Sequence, residues 1–212
     1  TQLSTQNEIL TQLPEVNYMM TNSQNLAVLW QSIIASLEKQ PNFKPSLDQF
    51  RSAFQTNLGI DDRDIFPWMT GEYALFMYPT RQGALPQLNF DMGLGLLVQT
   101  DDRKTADAAI AKLGEFLKPR LGESSFRERT LAGESVFDLG TMNNGKPINF
   151  MSYGWLNSNS FLILGGGGAF SDFNLNPNRN LAQSANFKSA IAPLGDANMG
   201  YFYVNFGAVM SL

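Results

Sequence analysis

Apolar residues recur at helical spacing in three stretches of the chain and fall on alternate or successive positions in most of the others, a mixture that predicts helices together with strands. From Leu26, the residues Leu29, Trp30, Ile33 and Leu37 form a stripe that has to be buried against something. Pro41 and Pro45 are expected to end that helix. Ser46 and Gln49 have the spacing of a capping box. Leu47, Phe50, Phe54 and Leu58 then line one face of a second helix, which Gly59 closes. Ahead of both helices, Val16 to Thr21 reads as a strand.

Beyond residue 70 strands dominate. Glu72 to Tyr78 and Asp91 to Gln99 are apolar on both faces. Such runs suit central strands covered on each side, or strands with helices on one face and a partner on the other. Asp101 or Asp102 caps a helix in which Ala106, Ile110, Leu113 and Leu117 share one face, and Pro119 is expected to stop it. Strands are expected at Phe126 to Leu131, Val136 to Leu139, Ile148 to Trp155 and Phe161 to Leu164, with Asn143-Asn144-Gly145 as one turn. Strands following one another in this way form a meander, for which antiparallel pairing is the simplest topology. A helix from Leu181 to Ala192 and a strand from Met199 to Phe206 end the chain. The predicted fold is a single α+β module over residues 1–212, with a largely antiparallel sheet packed against several helices.

The two ends resemble each other. Residues 10–22, LTQLPEVN followed by YMMTN, match residues 191–205, IAPLGDAN followed by YFYVN, with a two-residue gap. Each reads as a helix end, a tight turn, a strand and an asparagine. The repetition suggests a fragment of a longer tandem protein, in which the chain leaves one unit and enters the next. Two expectations follow: Met199 to Phe206 is buried in the same sheet as the strands from Glu72 and Asp91, and the two terminal strands hold related places in it.

Composition narrows the chemistry. The 212 residues contain no cysteine and no histidine, which removes thiolate chemistry, zinc-finger and iron–sulfur ligation, and the Ser-His-Asp relay. A net charge of −4 without a basic stripe argues against nucleic acid as a partner. The 43% hydrophobic content is enough for a folded core. The longest apolar runs, such as Ala74 to Met77 and Phe161 to Leu164, are far shorter than the roughly 20 residues that span a bilayer. No stretch has the pattern of a signal peptide.

Few residues offer a site. Gly165 to Gly168 follow a strand, where backbone N–H groups could cradle an anion, but Ala169 and Phe170 replace the Lys and Ser/Thr of a phosphate loop. The run reads as a turn at a strand end. Asp61, Asp62 and Asp64 could offer oxygen ligands to calcium, yet no glycine turn and distal Glu complete an EF-hand, and capping duty explains them. No serine lies in a G-x-S-x-G elbow, and no spacing pairs two carboxylates for acid–base work. No catalytic, cofactor-binding or metal-binding residue is assigned. The aromatics Trp68, Tyr73, Phe76, Tyr78, Tyr153, Trp155, Tyr201, Phe202 and Tyr203 suit a core, an apolar pocket or an interface.

The blocks Leu58-Gly59-Ile60-Asp61 and Ile65-Phe66-Pro67-Trp68-Met69-Thr70-Gly71-Glu72-Tyr73-Ala74, the strand closing on Thr100-Asp101, and the closing Phe187 to Ala190 and Gly200 to Val204 resemble a mainly cyanobacterial family known as a domain of unknown function (DUF3352). The resemblance runs from about Leu10 to Phe206. It implies an α+β fold and a longer, membrane-anchored parent with an extracytoplasmic body, in the periplasm or thylakoid lumen. It brings no catalytic residues. The function expected is a non-enzymatic structural or protein-interaction module of a larger cell-envelope protein, its partner a protein or a neighbouring repeat unit, and its contact with membrane made only through an anchor outside this chain. The alternative is a carrier for a small hydrophobic ligand.

Overall fold

The computed structural model describes residues 7–80, 92–122, 125–131, 133–143, 146–166, 170, 179–194 and 198–211. Eight strands share one sheet: β1 (Met19–Gln24), β2 (Glu72–Pro79), β3 (Met92–Gln99), β4 (Phe126–Leu131), β5 (Glu134–Asn143), β6 (Lys146–Trp155), β7 (Ser160–Gly165) and β8 (Phe202–Val204). Their order is β4-β5-β6-β7-β3-β2-β1-β8, and every neighbouring pair is antiparallel. The helices are α1 (Leu26–Glu38), α2 (Lys44–Leu58), α3 (Asp62–Ile65), α4 (Arg103–Leu121), α5 (Ala185–Ile191) and α6 (Phe206–Val209), with 3-10 turns at Glu8–Gln12 and Leu181–Gln183. The fold is α+β with a largely antiparallel sheet, as the sequence pattern implies.

Side chains of successive strand residues point to opposite faces, and this period of two divides the core. On the first face, Met20, Ala74, Phe76, Tyr78, Leu97, Leu162, Leu164 and Tyr203 pack under Ile9, Leu10, Leu13, Leu181 and Phe187, which come from the 3-10 turns, the residue that follows the first of them, and α5. On the second face, Tyr73, Val98, Leu139, Tyr153, Trp155 and Phe161 pack against Trp68, Met69 and Ala106, with Ile110 and Leu117 of α4 alongside. The N-terminus of α4 is held down by Arg103, which pairs with Glu134 at 2.6 Å and lies 4.5 Å over the Trp155 ring, while the Trp155 indole donates to Asp107.

The glycines of β3 are spaces for aromatic rings. Phe76 lies opposite Gly95 and Tyr78 opposite Gly93. A Cβ on Gly95 would overlap the Phe76 ring, and one on Gly93 would come within 2.6 Å of the Tyr78 ring. Both rings lie over backbone that a side chain would otherwise cover.

Several local expectations give way to specific contacts. The first strand begins at Met19 rather than Val16, because the Asn17 amide donates to the Pro14 carbonyl at 2.6 Å and holds those residues in a turn. Pro45 does not end a helix. It sits in the first turn of α2, where its missing N–H costs nothing, so the helix has already begun at Lys44 and the Ser46–Gln49 capping box does not form. Gly59 does close α2, with φ +69°. Pro119 lies inside α4, which runs on to Leu121; the Lys118 carbonyl is still taken by the Gly122 N–H at 3.0 Å. The expected helix over Leu181 to Ala192 is broken at Ser184, which caps α5. The stripe on α1 is turned away from the sheet. Ala27 and Ile34 are the buried residues there, Trp30 stacks on Phe66 at 4.3 Å, and Leu29 and Ile33 are exposed. The Asn143 to Gly145 turn joins strands that close on an Asn143–Lys146 pair, and residues 144 and 145 lie outside the described ones.

The terminal strand joins the sheet as expected, but at its edge and shorter. It ends at Val204 because the Asn205 side chain accepts the Ala208 N–H at 3.2 Å and starts α6. Tyr203 is buried, whereas Phe202 is 72% exposed. The two terminal strands are direct neighbours, β1 against β8.

Candidate functional site

Asp61, Asp62 and Asp64 come together at the start of α3, and each carboxylate already has a partner. Asp62, 4% exposed, accepts the Arg51 guanidinium at 2.7 and 2.9 Å and the Trp30 indole at 3.1 Å. The Arg51 hydrogen bonds hold its carboxyl below the usual range, with help from Trp30 and against the opposing effect of burial. The same partner raises Arg51, which also reaches Glu38 at 3.0 Å. Asp61 accepts the Arg63 backbone N–H at 2.9 Å and also pairs with the Arg63 side chain, which lowers its pKa. Asp64 accepts the Asp61 N–H and the Lys112 ammonium, the latter at 2.9 Å. This is a capping box reinforced by cations. A cleft of about 300 Å³ opens beside it, lined by Trp30, Glu38, Arg51, Asp62 and Phe66.

Gly165 closes β7 and Gly166 turns the chain with φ +72°. Residues 167 and 168 of the glycine run lie outside the described residues. Asp102 caps α4 as expected, accepting the Thr105 N–H at 3.1 Å. A polar cleft of about 320 Å³ lies between Gln24, Glu72, Gln99, Thr100 and Asp101. Its buried carboxylate, Glu72, is occupied by the Ile9 N–H at 2.8 Å.

An apolar groove opens on the second face of the sheet. α4 and the segment carrying Trp68 and Met69 cover the part of that face that includes Tyr73, Val98 and Phe161, and among the described residues the other part is uncovered. There a groove of about 390 Å³ crosses five strands, lined by Met19, Leu75, Met77, Leu94, Ile163 and Phe202. Leu75 is 47% and Leu94 50% exposed. The groove reaches the free side of β8, along which no strand pairs among the described residues. Together, the bare apolar face and the open edge form a surface that backbone hydrogen bonds and apolar side chains can both join.

Of the aromatics picked out from the sequence, Phe202 and Phe76 line this groove, although Phe76 packs in the core of the first face; Trp68, Tyr73, Tyr153 and Trp155 belong to the core of the second face. Leu75, Met77, Leu94 and Ile163 do not stand out as site residues in the sequence. Their signal is present in the sequence as strands apolar on both faces, and among the described residues the helices leave part of one of those faces uncovered.

These features define an α+β module built on one eight-stranded antiparallel sheet, with an apolar groove and, among the described residues, an edge strand β8 paired on one side alone. The chain belongs to the family described as Protein of unknown function (DUF3352), whose pattern matches residues 1–212. No curated protein and no solved structure matches it.

Proposed function

We propose that this chain is a non-enzymatic protein-interaction module of a larger cell-envelope protein, docking a protein partner through the bare second face and the β8 edge. The observation that carries the reading is the groove across β8, β1, β2, β3 and β7, which keeps Leu75, Leu94 and Phe202 in water. Large apolar side chains gathered in one exposed patch mark interaction surfaces. The acidic turn supports the non-enzymatic part, since its carboxylates are engaged by Arg51, Arg63 and Lys112. Placement in the envelope rests on the family resemblance.

The alternative, a carrier of a small hydrophobic ligand, is favoured by the purely apolar character of the groove residues Leu75, Met77, Leu94 and Ile163. Its open shape favours a protein, because a small ligand is held by burying most of its surface. A photo-crosslinking residue in place of Leu94, introduced in the native host, tests both. A protein adduct identified by mass spectrometry, lost when Leu75 is changed to Lys, is the expected result. An adduct of lipid-like mass would establish the carrier, and no adduct at all would overturn the docking surface.

A further inference from the structure

β1 and β8 are related by a local two-fold axis, and the sequence repeat obeys it. The repeat equates Tyr18 with Tyr201, Met19 with Phe202, Met20 with Tyr203, Thr21 with Val204 and Asn22 with Asn205. In the sheet, Met20 lies opposite Tyr203, Met19 opposite Val204 and Thr21 opposite Phe202. The equivalents of each opposed pair are therefore themselves opposed, Met19/Val204 becoming Phe202/Thr21, and Met20 is opposite its own equivalent. The hydrogen bonds follow the same rule: the Asn22 N–H donates to the Tyr201 carbonyl at 3.0 Å, and the Asn205 N–H to the Tyr18 carbonyl at 2.9 Å. Any antiparallel pair has a local two-fold axis, but a sequence repeat need not be centred on it.

The flanking elements agree. An asparagine-capped helix follows each strand, three residues later in the first copy: Asn205, the equivalent of Asn22, accepts the Ala208 N–H at 3.2 Å, whereas Asn25 accepts the Val28 N–H at 3.0 Å. A helical segment precedes each, Glu8–Gln12 before β1 and α5 before β8, and both supply the core of the first face. By this symmetry, β8 is the β1 of a second unit.

β1 has a neighbour on each side, β2 and β8. β8 has β1 alone among the described residues. The bonded pairs Tyr18/Asn205 and Asn22/Tyr201 turn alternate residues toward β1, so the backbone groups of Phe202 and Val204 face the open side. Rotation about the axis at Met20 and Tyr203 carries β2 to that position.

We propose that the free edge of β8 takes a strand of the β2 type from a second unit of this fold, so that one antiparallel sheet runs through both units. This rests on the interaction-module reading and names its partner. Met19 pairs with Met77 and Thr21 with Leu75 within this unit. The incoming strand therefore sets a Met77-like residue against Phe202 and a Leu75-like residue against Val204, and extends the apolar groove across the junction. This is strand addition at the β8 edge that repeats the β1–β2 pairing, with the two-fold axis lying one strand away, between β1 and β8.

The test adds a synthetic peptide with the sequence of Glu72–Pro79, flanked by lysines for solubility, to the full chain and follows amide hydrogen exchange. Slowing of about tenfold or more at Phe202 and Val204, absent with a scrambled peptide, is the expected result. Val204→Pro removes an outward N–H and abolishes the protection. If that variant melts early, Phe202→Lys, which puts a charge on the edge without touching the backbone, serves the same purpose. Exchange unchanged at both amides, or protection that survives these variants, overturns the proposal. A protein adduct at Leu94 with no peptide effect leaves the docking reading standing and removes only the two-fold partner, whereas loss of both removes the reading itself.

Discussion

Gly200 packs against the carbonyl oxygen of Asn22 so closely that no Cβ fits between them. Its φ of +139° is also one that L side chains rarely adopt. The contact places Tyr201, whose N–H donates to the Asn22 side chain at 2.9 Å, and hence the whole of β8. Gly200→Ala is therefore expected to cost about 1–3 kcal/mol in chemical denaturation and to speed exchange at Met20 and Asn22, as β8 lifts from β1. A variant as stable as the parent would mean that β8 is held by its side chains alone.

Adjacent aromatics of β8 should behave oppositely. Tyr203 is buried and meets Phe187 edge-on at 5.2 Å, whereas Phe202 is 72% exposed. Tyr203→Ala is expected to cost about 3–5 kcal/mol, and Phe202→Ala no more than about 0.5 kcal/mol. Thermal melts of the two variants decide it. Equal losses would contradict the alternation of β8 across the sheet.

The elements that the sequence revealed are those with long-range pattern. β2, β3 and α4 were legible because their apolar residues repeat over eight or more positions, and the antiparallel order followed from strands succeeding one another. What was not legible depended on single contacts. Nothing in the local pattern shows that Pro45 sits in a first turn, or that Asn205 would turn the last strand into a helix. The buried side of α1 is not legible because that helix is apolar over much of its circumference, and Ala27 and Ile34 are buried instead of Leu29 and Ile33. The groove was half legible: strands apolar on both faces require two covers, but only the tertiary arrangement tells which part of a face the helices leave open. The end-to-end similarity was legible as a repeat, whereas the pairing of its two copies is a tertiary fact.

Arg51 and Asp62 give the fold an acid-sensitive clamp. Asp62 is titrated downward by the Arg51 hydrogen bonds, so its contribution is complete above the ordinary carboxylate pKa of about 4 and is lost as pH falls through the lower, folded value. Arg51→Met leaves a buried carboxylate without its cation and should cost about 3–5 kcal/mol at neutral pH. The sign gives a second reading. Burial raises the Asp62 pKa once Arg51 is gone, so the variant takes up its proton at higher pH, and the stability gap to the parent starts to narrow above a pH of about 4 and narrows further as pH falls through the parent's lower, folded value. Urea titrations at several pH values measure the gap. A constant difference would show that Arg51 acts through packing rather than charge.

The bare face predicts a surface that is apolar yet unimportant for folding. Leu94 and Leu75 face the groove, while their chain neighbours Gly95 and Phe76 face the packed side and fill each other's space. Leu94→Lys should therefore change stability by no more than about 0.5 kcal/mol, because the position is already half in water. Gly95→Val, one residue away, should cost about 1–3 kcal/mol or more, since the added side chain overlaps the Phe76 ring. The folded protein should also bind a hydrophobic dye such as ANS through the groove, and Leu94→Lys combined with Leu75→Lys should remove most of that fluorescence while the melting curve stays in place. Loss of stability in the double lysine variant would show that these side chains support the sheet rather than await a partner. Dye binding undiminished by the lysines would place the exposed apolar surface elsewhere, with Leu29 and Ile33 on α1 as the next positions to change.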